Sequence, residues 1–162
     1  MWRLYATAGL LVLLVPLFVM AQDAPVPLHR AGFDTYARVT RSDGTWRDIL
    51  IRPEDRRRFA SSGTFATGTI LMMESFRSSG ALGAVFLAEK KVEGWRYASL
   101  PAGGTLDDAR PAHSCSACHR LSTSGSPVFT LPLLRRNLTD ADVQFVHCPR
   151  SGRAPCRPEV YD

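Results

Sequence analysis

Cysteine is scarce in this chain, four residues in 162, and only one pair has the spacing Cys-x-x-Cys. A zinc ribbon needs two such pairs, so the lack of a second one excludes it. Internal repeats, heptad arrays and low-complexity tracts are also missing, which excludes solenoids, coiled coils and disordered linkers and leaves one ordinary domain with a single core. Lysine is nearly absent, confined to Lys90 and Lys91. Charge is not strongly one-sided either: 20 basic residues against 15 acidic ones give +5. That excess is compatible with an acidic redox partner or an anionic surface and points to no nucleic acid. The one arginine run, Arg56-Arg57-Arg58, follows Pro53-Glu54-Asp55 in what reads as a short helix, and it is expected to be a solvated face.

What the chain does have is Cys115-Ser116-Ala117-Cys118-His119, the attachment sequence of a c-type haem. Two thiols three positions apart can each add to a haem vinyl group, and the next residue then brings an imidazole to the iron. One covalent haem c is therefore expected on Cys115 and Cys118, with His119 as proximal iron ligand. A redox dithiol or part of a metal site are the competing readings of a Cys-x-x-Cys pair. A thioredoxin-like motif follows a strand in a βαβ unit, whereas Gly103-Gly104 and Pro111 precede this one and Ser122-Thr123-Ser124-Gly125 follow it. The histidine directly after the pair favours haem.

The N-terminus agrees on compartment. Met1-Trp2-Arg3 is a short basic start, Leu4 to Met20 is almost wholly apolar, and Val19-Met20-Ala21 reads as a small-residue cleavage site. Residues 1–21 are expected to be an export signal, leaving a periplasmic domain over 22–162. An uncleaved anchor is the alternative, since about 20 apolar residues span a bilayer. In an oxidising compartment Cys148 and Cys156, which bracket a Pro/Gly loop, are expected to form a disulfide, the alternative being two free thiols.

The middle of the chain reads as strands. Trp46 to Arg52 ends at Pro53, where a helix through about Ala60 can start. Thr69–Phe76, Ala84–Lys91 and Trp95–Leu100 read as further strands joined by short turns, an antiparallel meander. The haem motif follows on a helical turn. Asn137 or Thr139 can cap a last helix carrying Val143, Phe145 and Val146 on its apolar side. The expected fold class is thus mainly β (α+β), an antiparallel sheet with a few short helices and the haem packed against the sheet.

From Phe33-Asp34-Thr35-Tyr36 to Val128-Phe129 the chain resembles the cytochrome P-460 family, which includes the cytochrome c-prime-beta proteins. The shared marks are the early Phe-x-x-Tyr and Phe65-x-x-Gly68-Thr69 leading to Glu74. The strand ending in Lys90-Lys91, Gly94-Trp95-x-Tyr97 and the haem pentad complete them. The resemblance implies a homodimer and a five-coordinate haem, His119 on one side and the other open to nitric oxide or a related small nitrogen compound. Oxidising members carry a lysine cross-linked to the haem edge; here Met73 stands at the matching position. A thioether cannot form that adduct, so hydroxylamine oxidation is not the expected activity, and Met73 is expected to pack on the haem edge. Alignment with the family places Trp46 and Phe65 as candidates for an aromatic distal cap and Arg110 as a candidate donor to a propionate or bound anion. An electron carrier, its sixth position closed by Met72, Met73 or a histidine, is the second function class.

Overall fold

Alternation and turn chemistry build a single sheet. The computed structural model describes residues 28–101, 103–120, 126–138, 142–152 and 154–162. The expected export signal over residues 1–21, residues 122–125 after the Cys-x-x-Cys-His pentad, and Thr139 lie outside the described residues. Strands β1 (Asp34–Arg41), β2 (Trp46–Ile51), β3 (Ile70–Phe76), β4 (Leu82–Lys91), β5 (Gly94–Leu100), β6 (Arg110–Pro111) and β7 (Gln144–Cys148) form one seven-stranded sheet in the order β6-β5-β4-β3-β2-β1-β7. Sequential neighbours from β1 to β6 pair antiparallel, so the expected meander is present. The fold is mainly β, with three short α-helices among the described residues, α1 (Pro53–Ser62), α2 (His113–His119) and α3 (Leu131–Arg136).

Helix α1 begins and ends where its sequence dictates. Pro53 occupies the first turn, where its missing N–H costs nothing, and Glu54 and Asp55 face the positive end of the helix dipole. Gly63 closes it at φ 70°, a left-handed conformation that glycine adopts without penalty, and donates its N–H to the Phe59 carbonyl at 2.8 Å. Phe59 and Asp55 are buried, whereas Arg57 and Arg58 are exposed, as a solvated face requires. Arg56 is half-buried and donates to Asn137 Oδ1 at 3.0 Å.

The period of two divides the side chains between two layers. On one face Tyr36, Ile49, Ile51, Phe59 and Leu71 pack with Leu133 and Leu134 of α3. On the other, Leu50, Met72, Val85, Leu87 and Leu100 pack with Phe33. A register shift between Thr35 and Ala37 leaves Tyr36 unpaired in β1, and its hydroxyl meets Thr130 Oγ1 at 2.7 Å just before α3. The second face also buries charge. Asp48 and Glu74 are opposite each other on β2 and β3, Arg38 grips Asp48 through two bonds of 2.6 and 2.8 Å, and His29 Nε2 meets Glu74 Oε1 at 2.9 Å. Paired in this way, the buried carboxylates avoid the cost of isolated ions and tie the segment before β1 to the back of the sheet.

The expected last helix is not there. Asn137 ends α3 instead of capping a later helix, its N–H reaching the Leu133 and Leu134 carbonyls. Its amide donates to the Asp142 carbonyl. Phe145 and Val146 belong to β7, which runs parallel to β1 from Ala37↔Gln144 to Arg41↔Cys148. The run alternates exposed Phe145 with half-buried Val146, the pattern of an edge strand and not of a helix face. The Cys148–Cys156 disulfide is present, with a Cα–Cα distance of 5.8 Å. It folds the tail back so that Arg41, buried in β1, donates to the Ala154 and Arg150 carbonyls. Replacing both cysteines by serine is expected to lower stability by about 2 kcal/mol, the loop being short. Urea unfolding of oxidised wild type and the double variant checks this.

Candidate functional site

The Cys-x-x-Cys-His pentad lies in α2, and the element that positions it is β5. The Ala112 N–H, at the helix start, donates to the Tyr97 carbonyl at 3.0 Å, and the helix lies against this strand. At its other end the His119 ring packs on the Tyr97 ring at 4.6 Å between centroids and on Phe129 at 5.1 Å. Both Cys115 and Cys118 are free, half-buried thiols. Burial pushes the Cys115 thiol pKa upward.

The imidazole has a defined orientation. His119 Nδ1 lies 2.5 Å from the Pro127 carbonyl oxygen. A carbonyl only accepts, so Nδ1 carries the proton and Nε2 presents its lone pair. This is the arrangement of a metal-ligating histidine, whose second nitrogen donates to a backbone carbonyl. Burial lowers the His119 pKa, opposed by the Pro127 bond, and the neutral ring is the ligating form.

The sheet face under α2 is apolar and incompletely covered. By strand register Met73, Phe86, Ala88 and Tyr97 stand side by side on β3, β4 and β5, and all four are half-buried. The opposite face of the same strands is closed, with Met72, Val85 and Leu87 buried. Thus Met73, expected at the haem edge, shares the face that carries His119, and Met72 belongs to the second core layer. Two free thiols, an imidazole aimed by a carbonyl and an apolar floor fit a covalently held porphyrin. Among the described residues no group of three or more histidine, cysteine or acidic side chains could hold a bare metal ion.

The aromatic candidates separate. Trp46 pairs with Thr40 and Phe76 and alternates with Ile49 and Ile51, so it lies on the sheet face opposite His119. There it stacks on Phe76 at 5.0 Å and meets the Arg38 guanidinium at 5.8 Å. Trp46 and Arg47 are adjacent, and the register assigns them to opposite faces, so of the two Arg47 shares the face of His119. Phe65 packs on Phe59 at 4.6 Å and edge-on to Trp95 at 5.2 Å, in the core layer on the His119 side of the sheet. Arg110 is exposed on β6 opposite Ser99. His113 opens α2 and is exposed.

Sequence reasoning missed Arg47, Tyr97 and Tyr161. Arg47 is half-buried, donates to the Gly152 carbonyl at 3.3 Å and lies within electrostatic reach of Cys118; burial and then the neighbouring Arg41 lower its pKa. Tyr161, near the chain end, is buried beside Phe129 at 6.5 Å. Only Tyr97 lay in a motif already singled out, Gly94-Trp95-x-Tyr97; the other two come to the site through the sheet and the disulfide-linked tail.

Three phenols here resist ionisation. Burial pushes Tyr97 up to about 12, and it raises Tyr36 and Tyr161 as well. The fold therefore favours protonated tyrosine: this contribution to stability is fully present below the ordinary phenol value of about 10 and is lost as pH rises through the folded values. Titration of tyrosinate absorbance is expected to give a late transition near pH 12 in native protein for Tyr97 and an ordinary one in urea. A native titration matching the urea curve would contradict this. No family model matches the chain, and no curated protein matches it significantly, so the reading of this site rests on its own geometry.

Proposed function

We propose that this protein is an exported, c-type monohaem protein of the cytochrome P-460 and c-prime-beta kind, whose iron keeps one position open for nitric oxide or a related small nitrogen compound. The observation that carries the reading is His119, its Nδ1 tied to the Pro127 carbonyl and its Nε2 left as the ligating atom, directly after two free thiols on one short helix. Bound here, a haem supplies an iron centre that takes a diatomic ligand. The chain's own residues do the rest. Cys115 and Cys118 would hold the haem through thioethers, and His119 would ligate its iron. Met73, Phe86 and Ala88 offer an apolar floor that gives no hydrogen bond to a charged ligand.

The open sixth position is supported by where the other soft or basic donors lie. His29 is bound to Glu74 on the far face, His147 sits on β7 beside Thr40, and Met72 is buried in the second layer. Met73 alone among these shares the face of His119, and this favours the electron-carrier reading as the second choice. Met73 also replaces the amine that a lysine cross-link needs. Lys90 stands on the same face of β4 as Phe86, but its ammonium donates to the Lys91 carbonyl at 2.9 Å.

The optical spectrum of the ferrous protein separates the two readings. A high-spin, five-coordinate spectrum that changes at once on adding nitric oxide is expected. A spectrum already low-spin without added ligand would favour the electron carrier, and Met73→Ala would then open the site. The haem peptide spanning Cys115 to His119 is expected to carry no lysine-containing branch by mass spectrometry. A branch to Lys90 or Lys91 would restore the oxidase reading.

A further inference from the structure

We propose that Tyr97 is the positioning residue for the proximal ligand, setting both the place of the motif helix and the rotation of the His119 ring. The inference rests on the haem reading above and adds a residue that the attachment motif does not contain.

One residue holds α2 at both ends. The Tyr97 carbonyl accepts the N–H of Ala112, the residue before the helix, at 3.0 Å, which fixes where the helix starts on β5. The Tyr97 ring then packs against the His119 ring, the last residue of the helix, at 4.6 Å and 35°. Between them the helix has only seven residues, and its start is capped by no side chain. Isolated helices shorter than about 12 residues are marginal in water, so this one takes its position from what it rests on.

Tyr97 itself is not free to move. Its backbone is paired with Ala88 in the interior of β5, between β4 and β6. A hydrogen bond from Nδ1 to Pro127 fixes one direction of the imidazole but permits rotation about that contact. Phe129, tilted by 52° on the ring, and Tyr97 together remove the rotation. Ring orientation and the basicity of the proximal nitrogen are among the means by which a protein tunes haem iron. Tyr97 acts here through His119 and is not itself a ligand.

Tyr97→Ala keeps the backbone bond to Ala112 and removes the ring; Tyr97→Phe keeps the ring. Resonance Raman of the ferrous haem-loaded protein reads the iron–histidine stretch directly. Wild type and Tyr97→Phe are expected to give the same single narrow band. Tyr97→Ala is expected to give a shifted or split band, and Trp95→Ala, whose ring packs on Phe65, to leave it unchanged. An unaltered band in Tyr97→Ala, with haem attached, would overturn the inference and leave the haem reading standing. Wild-type protein without covalent haem would instead overturn the haem reading. Should Tyr97→Ala fail to mature, nuclear Overhauser contacts between the two rings in the diamagnetic ferrous carbon monoxide form of wild type decide the matter. They are expected to be present, and their absence would overturn the inference.

Discussion

The hydrogen bond from His119 Nδ1 to the Pro127 carbonyl is the contact on which the functional reading depends. It chooses the tautomer, aims the remaining nitrogen and ties the end of the motif helix to the segment leading into α3. Without it the imidazole would be an ordinary half-buried ring with two equivalent nitrogens. With it, Nε2 of a neutral ring keeps its lone pair free, and the ordering cost of the ring is met by folding. Tyr97 and Phe129 complete the cage from the sheet and from the approach to α3.

The sheet supports this by treating its two faces differently. The back face is closed and heavily paired: Asp48 and Glu74 are buried against Arg38, Arg30 and His29, and Met72, Val85 and Leu87 are buried. The front face keeps Met73, Phe86, Ala88 and Tyr97 half-buried in a row. A rigid back and an apolar front are what a flat, aromatic cofactor needs for positioning on regular elements rather than on loops. The disulfide-linked tail extends the front, placing Tyr161 beside Phe129 and the Gly152 carbonyl against Arg47.

Much of this was legible in the sequence, for local reasons. Strands β2 to β5 announce themselves by β-rich runs between turn residues, α1 by Pro53 and its acidic first turn, and the pentad by its own spacing. The misreadings share a cause, which is pairing distant in sequence. Strand β1 carries Arg38 and a buried Arg41 whose partners are Asp48 and the carbonyls of the tail, so its pattern looks polar. β7 reads as a helix face until its parallel pairing with β1 is known. For Trp46 the sequence does not reveal parity: only the register Trp46↔Phe76 sends it to the back face and Arg47 to the front. Tyr97 was visible as part of a motif, but its bond to Ala112 and its contact with His119 are not.

Covalent attachment is the central claim, and intact-protein mass under denaturing conditions tests it most directly. Protein exported by cells competent for cytochrome c maturation, then unfolded in acidic organic solvent, is expected to keep its colour and to carry the mass of one haem. Cys115→Ala and Cys118→Ala together are expected to abolish that added mass. A colourless wild-type chain of unmodified mass, with the haem released into the solvent, would contradict the account.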